Sequence, residues 1–125
     1  MITPDASPMT LDLSTIQRMV DGLWIWQAKS NTFTDYSKCP SLLTSADTIE
    51  TAYQKYHPAD VRPIRKAIEA LLKGEEDFFS IECRLKNADN QFIWIQQYLT
   101  VHQRDDAGCP TIIVGVWADL SDLKN

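Results

Sequence analysis

Apolar residues change their spacing along this chain in a way that separates helices from strands. Leu13, Ile16, Met19, Val20 and Leu23 recur at helical spacing across the capping-box string Ser14-Thr15-Ile16-Gln17, which predicts a short amphipathic helix ending near Gly22. Leu23-Trp24-Ile25-Trp26 is too aromatic and too short for a helix. With the Ser30-Asn31 turn and Thr32-Phe33-Thr34-Asp35-Tyr36 it predicts a two-stranded hairpin. Between Ser37 and Tyr56 the pattern is mixed, with Pro40 interrupting, then Ile49, Ala52, Tyr53 and Tyr56 on one helical face, so short helices are expected there. Val61, Ile64, Ala67, Ile68, Leu71 and Leu72 form the stripe of a longer helix that Asp60 caps, Pro63 enters in its first turn and Gly74 stops. Three strands follow, Phe78 to Leu85, Phe92 to Gln103 and Thr111 to Asp119, joined by Asp89-Asn90 and Asp105-Asp106-Ala107-Gly108.

Strands that do not alternate with helices rule out a doubly wound fold. The economical arrangement is α+β, a five-stranded antiparallel sheet with helices on one face. At 125 residues, 44% apolar and 23% charged, the chain has the make-up of one ordinary domain. Residues 1–10 hold Pro4 and Pro8 without periodicity and read as a mobile lead-in, 11–121 as the domain with its N-terminal helix, and 122–125 as the start of an output linker.

A net charge of -5 and scattered Lys and Arg argue against nucleic-acid binding. No apolar run approaches the ~18 residues of a membrane span, and the first residues lack the pattern of a secretory leader, so a cytoplasmic location is expected. Three cysteines without CxxC spacing suit neither a disulfide framework nor a zinc site, and His57 and His102 have no neighbouring ligand pattern, so no metal is expected.

Several local strings, in their order and spacing, are specific. Gly22-Leu23-Trp24-Ile25-Trp26-Gln27, His57-Pro58-Ala59-Asp60, Ile81-Glu82-Cys83-Arg84-Leu85, Phe92-Ile93-Trp94 and Gly115-Val116-Trp117-Ala118-Asp119-Leu120-Ser121 together resemble the PAS family in its bacterial sensory-box, PAS fold-3-like subtype. The resemblance runs from about Gly22 to Lys124. Departures are Asn90 where the family turns on Gly, Ala59 and Gln27 where it carries acids, and the missing Gly at Leu43-Thr44. Asn tolerates the left-handed conformation, so the turn is kept. His57 beside Asp60 reads as a helix start rather than a catalytic pair, because no nucleophile or second base accompanies it.

The resemblance implies that one sheet face lines a cavity against the helices. Placing Glu82 and Arg84 outward puts Phe79, Ile81, Cys83 and Leu85 inside, and Asp119 at its family position puts Ile113, Gly115 and Trp117 inward. In the strand between, Trp94, Gln96 and Tyr98 are expected to share the cavity, with Ile93, Ile95, Leu99 and Val101 outside. The expected lining is therefore Trp24, Trp26, Tyr53, Ile64, Ile68, Ile81, Cys83, Trp94, Gln96, Tyr98, Ile113 and Trp117. At ~25 cal/mol per Å2 an apolar outer face needs cover. The expected cover is the N-terminal helix or a second copy, giving a homodimer with contacts at Leu13, Ile16, Met19, Val20, Ile93, Ile95 and Leu99.

The same resemblance makes Asp119, Leu120 and Ser121 a relay into an output domain or a partner kinase or cyclase. The flavin-attaching cysteine motif is absent between Ala46 and Tyr56, and the long helix carries no histidine for haem, so no cofactor is expected. Two interiors stay open: a core closed by four tryptophans, or an aromatic pocket for a small planar or apolar metabolite with Gln96, Tyr98 and Cys83 as its polar contacts. Buried indole N–H groups need partners, so at least one should meet Gln96, a backbone carbonyl or a ligand. The expected function is sensing or signal relay without catalysis. Beside it stand a cofactor-free dimerisation scaffold and, from another class, a cone-shaped isomerase-like enzyme, which needs an inward acid or base with a perturbed pKa.

Overall fold

Residues 20–37 and 47–121 are described by the computed structural model of the chain. Its elements run β1 (Gly22–Gln27), β2 (Thr32–Asp35), α1 (Ile49–Lys55), α2 (Pro58–Leu72), β3 (Phe78–Lys86), β4 (Phe92–Arg104) and β5 (Pro110–Asp119). The strands form one sheet in the order β2-β1-β5-β4-β3 with every pair antiparallel. The last strand therefore lies at the centre, against the first. The fold class expected from the pattern is the one observed. The helix expected over 11–22 falls largely outside the described residues, and Gly22 already opens β1.

Local chemistry sets the turns. Asn31, at φ 55°, closes the β1–β2 hairpin, and its Oδ1 accepts from Trp26 Nε1 at 3.0 Å and from the Ile49 amide at 2.8 Å, tying the turn to the start of α1. Thr48 and Thr51 form a reciprocal capping box at that same start. The five residues 87–91 between paired Lys86 and Phe92 carry Asn90 at φ 67°, the conformation that Gly supplies in the family turn.

At the start of α2 the cap differs from expectation. His57 is the cap, its Nδ1 accepting from the Ala59 amide at 3.0 Å, while its ring packs on Phe92. The Asp60 carboxylate reaches sideways to the edge strand β3. Oδ2 accepts from the Arg84 backbone amide at 2.7 Å and from Nε at 3.2 Å, Oδ1 accepts from Nη2 at 3.0 Å, and the His57 amide donates to the Arg84 carbonyl at 3.0 Å. Both edge-facing backbone groups of Arg84 are thereby satisfied, which blunts the exposed edge of the sheet. Burial alone would raise the Asp60 carboxyl, but the bonds from the Arg84 side chain and backbone outweigh it and hold the group below the usual carboxylate range.

The core lies between the helices and one sheet face. Ile64, Ile68 and Leu71 of α2 and Ala52 and Tyr53 of α1 pack on Trp24, Trp26, Phe33, Cys83, Leu85, Ile95, Leu99, Ile113 and Trp117. Two glycines let the tryptophans lie flat on the neighbouring strand. Gly22 pairs with Trp117 and Trp24 with Gly115, and a Cβ built at Gly115 would stand 2.2 Å from the Trp24 ring. A Cβ at Gly22 would collide with the Trp117 ring in the same way.

Candidate functional site

Facing pairs on adjacent strands share a face of the sheet, so the register decides which residues meet the core. Cys83 pairs with Ile95, Ile81 with Gln97, Gln97 with Trp117, Leu99 with Gly115 and Val101 with Ile113. Trp24, Trp26, Tyr53, Ile64, Ile68, Cys83, Ile113 and Trp117 sit in the core, and Ile81 packs against it.

The expected facing of β4 is reversed. Trp94, Gln96 and Tyr98 pair with Arg84, Glu82 and Ser80 and lie on the outer face, so they do not line the interior. Ile95 and Leu99 are fully buried in the core and Ile93 packs against it, so these three cannot be outer-face dimer contacts. The cause is the turn: with Lys86 paired to Phe92, odd-numbered β4 residues face odd-numbered β3 residues. The outer face is instead lined by Leu23, Ile25, Trp94, Tyr98, Val114 and Val116. Phe78 stacks on Tyr98 there, and Arg84 lies 4.7 Å over the Trp94 ring. Of the other dimer contacts expected, Leu13, Ile16 and Met19 lie outside the described residues, and Val20 is half-buried.

One interior residue escaped the sequence reading. Gln97 is 0% exposed, and its Oε1 accepts a 2.9 Å hydrogen bond from the hydroxyl of Tyr56, which is also buried. A lone amide between Ile95 and Leu99 was the available signal. Burial raises the Tyr56 phenol far above its ordinary range, raises Tyr53, and pushes the Cys83 thiol up to about 12. All three are protonated at neutral pH, so Cys83 is not a thiolate nucleophile and the ionisable groups of the core cluster carry no charge. Of the indoles, Trp26 has its partner in Asn31, whereas Trp24 Nε1 and Gln97 Nε2 are buried without an acceptor among the described residues.

The expected relay residues meet the start of the domain. The Asp21 amide donates to the Trp117 carbonyl at 3.1 Å, and the Asp119 amide donates to Asp21 Oδ2 at 2.7 Å. The Leu120 amide donates to the Trp94 carbonyl at 2.9 Å, while Asp119 Oδ1 accepts from both the amide and the hydroxyl of Ser121. The end of β5 is thus stitched to the residue before β1 and to β4. At the other end of these strands, a cleft of about 370 Å3 is lined by Gln27, Lys29, Ser30, Gln103, Thr111 and Ile112, apart from the core. Among the described residues no cluster of His, Cys, Asp and Glu could hold a metal, and no helix is long and apolar enough to cross a membrane.

Comparison with known families matches residues 24–117 to the PAS fold. No curated protein matches the chain. Among solved structures, a sensory box histidine kinase/response regulator from Burkholderia thailandensis is 24% identical, with 82% of this chain and 79% of that one covered and a TM-score of 0.63. The N-terminal domain of a diguanylate cyclase with PAS/PAC sensor from Marinobacter aquaeolei is 19% identical, covering 83% and 98%, with a TM-score of 0.68. Cycle PAS-B from Drosophila melanogaster, with bound ethylene glycol, is 12% identical, covering 78% and 98%, with a TM-score of 0.57.

Proposed function

The chain belongs to the PAS family through its match over residues 24–117, and from that premise we propose a sensory and signal-relay domain of a bacterial signalling protein. Its interior takes up a small ligand, and Asp119, Leu120 and Ser121 pass the change to a histidine kinase, a diguanylate cyclase or a similar output. The observation that carries this reading is the stitched junction. A shift of β5 against β1 or β4 must strain the Asp119–Asp21 and Leu120–Trp94 bonds, so the point where the chain leaves the sheet responds to the packing inside it. The sensor works without flavin or haem and without catalysis, in the cytoplasm. The outer face, with the half-buried Ile25, Val114 and Val116, is the surface on which a homodimer forms.

A second reading is favoured by the way Trp24 and Trp117 fill the space over Gly115 and Gly22: a closed, ligand-free dimerisation scaffold. Thermal shift against a broad metabolite library separates the two. A ligand at a hundred times its Kd adds about 2.7 kcal/mol to native-state stability, which the sensor reading expects from at least one compound. A library that leaves the unfolding midpoint unmoved throughout contradicts the sensor and supports the scaffold.

A further inference from the structure

The core holds two hydrogen-bond donors for which it supplies no acceptor. Gln97 is 0% and Trp24 3% exposed, and both Gln97 Nε2 and Trp24 Nε1 are buried without a partner among the described residues. Leaving such a group unpaired costs about 1–3 kcal/mol, so native interiors seldom keep one, and here there are two. The Tyr56 hydroxyl donates to Gln97 Oε1, which leaves the amide nitrogen without a partner among the described residues.

The two donors belong to residues on the same, core-facing side of the sheet. Trp24 faces Gly115 across β1 and β5, and its Cε2, the atom bonded to Nε1, would lie 2.3 Å from a Cβ there. The indole N–H is therefore carried out over β5. Gln97 faces Trp117 and Leu99 faces Gly115, so Gln97 is the diagonal neighbour of Gly115 on the same face. Diagonal neighbours stand about 7–8 Å apart, within reach of long side chains.

The surroundings select the class of acceptor. Tyr53, Tyr56 and Cys83 are neutral there, and the other members of the core cluster are apolar. A carboxylate or phosphate would be buried with no cation of the cluster to offset its desolvation. A neutral carbonyl oxygen on a small apolar body accepts both N–H groups and places its hydrocarbon against the aromatic and aliphatic walls. Resting on the sensor reading above, we infer that the ligand of this interior is a neutral carbonyl compound, such as a ketone, aldehyde or ester, held between Gln97 Nε2 and Trp24 Nε1.

Three ring-matched probes test this: cyclohexanone, methylenecyclohexane, in which the oxygen becomes CH2, and cyclohexanecarboxylate. Binding is followed on 15N-labelled full chain through the Trp24 indole and Gln97 side-chain amide signals. Cyclohexanone should move both signals saturably and bind about tenfold more tightly than methylenecyclohexane, the worth of one good hydrogen bond. Cyclohexanecarboxylate should not bind. Trp24→Phe, or Gln97→Met should the first variant not fold, should reduce the ketone preference towards unity while keeping hydrocarbon binding.

Equal affinity for ketone and hydrocarbon, or ketone binding that leaves both signals in place, overturns the inference, since the two donors would then hold only water. If hydrocarbon binds without any ketone preference but shifts the Leu120 and Ser121 amides, the sensor reading stands and this inference alone falls. If none of the three binds, the carbonyl inference falls, and the metabolite library decides the sensor reading separately.

Discussion

Gly115→Ala should lower the thermal unfolding midpoint by about 12 °C. The new methyl would stand 2.2 Å from Cζ2 of Trp24, and the ring is held among Phe33, at 5.2 Å between centroids, and the paired strand. Overpacking of this kind reaches about 3 kcal/mol, and a domain of this size loses about 4 °C per kcal/mol. Gly108→Ala is the matched control. Gly108 sits at φ +85° with nothing within 4 Å of a built Cβ, so it carries backbone strain alone, worth about 1 kcal/mol. Adding Trp24→Phe to Gly115→Ala should recover part of the loss, because the smaller ring frees the space over Gly115. Scanning calorimetry of the four proteins reads this directly, and equal midpoints for Gly115→Ala and Gly108→Ala would contradict the interlocked packing.

Asp60→Ala should cost about 2–3 kcal/mol at neutral pH, the range for bonds to a charged group whose partner is left wanting. The substitution strands the Arg84 amide, Nε and Nη2 together and frees the edge of β3. The loss depends on pH with a definite sign. The Asp60 carboxyl titrates lower in the folded protein than its unfolded value of about 3.9. Its contribution is therefore complete above that value and disappears as pH falls through the folded pKa. Urea unfolding of wild type and Asp60→Ala should show a constant gap from pH 7 to about pH 5 that closes below about pH 4. A gap that persists unchanged in acid would place the stabilisation elsewhere.

The strands and helices were legible in the chain because each carries its own period. Trp24 and Trp26 alternate with outward neighbours, and Ile64, Ile68 and Leu71 fall on one face of α2. The facing of β4 was not legible from composition, because both of its faces are largely apolar: Ile93, Ile95 and Leu99 on one, Phe92, Trp94 and Tyr98 on the other. Only the pairing of Lys86 with Phe92 breaks the tie, and that depends on how residues 87–91 turn. Placing Trp94, Gln96 and Tyr98 inward took the wrong parity for this strand, and it hid Gln97. Asp60 was misplaced for a different reason. An acid near a helix start is the common cap, but here His57 takes that role and the carboxylate is drawn to a strand far along the chain. Long-range bonds of this kind leave no mark in local sequence.

The central claim is that packing inside the sheet is felt at the junction where the chain leaves it. Backbone hydrogen exchange on wild type and Trp24→Phe tests this, since the substitution acts on Gly115 in the middle of β5 and leaves Asp119, Leu120 and Ser121 untouched. Exchange at the amides of Asp119 and Leu120, bonded to Asp21 Oδ2 and the Trp94 carbonyl, should quicken by about tenfold, an opening made easier by about 1.4 kcal/mol. Faster exchange confined to the neighbours of Trp24 and Gly115, with the Asp119 and Leu120 amides as protected as in wild type, would show that the interior and the junction are not coupled.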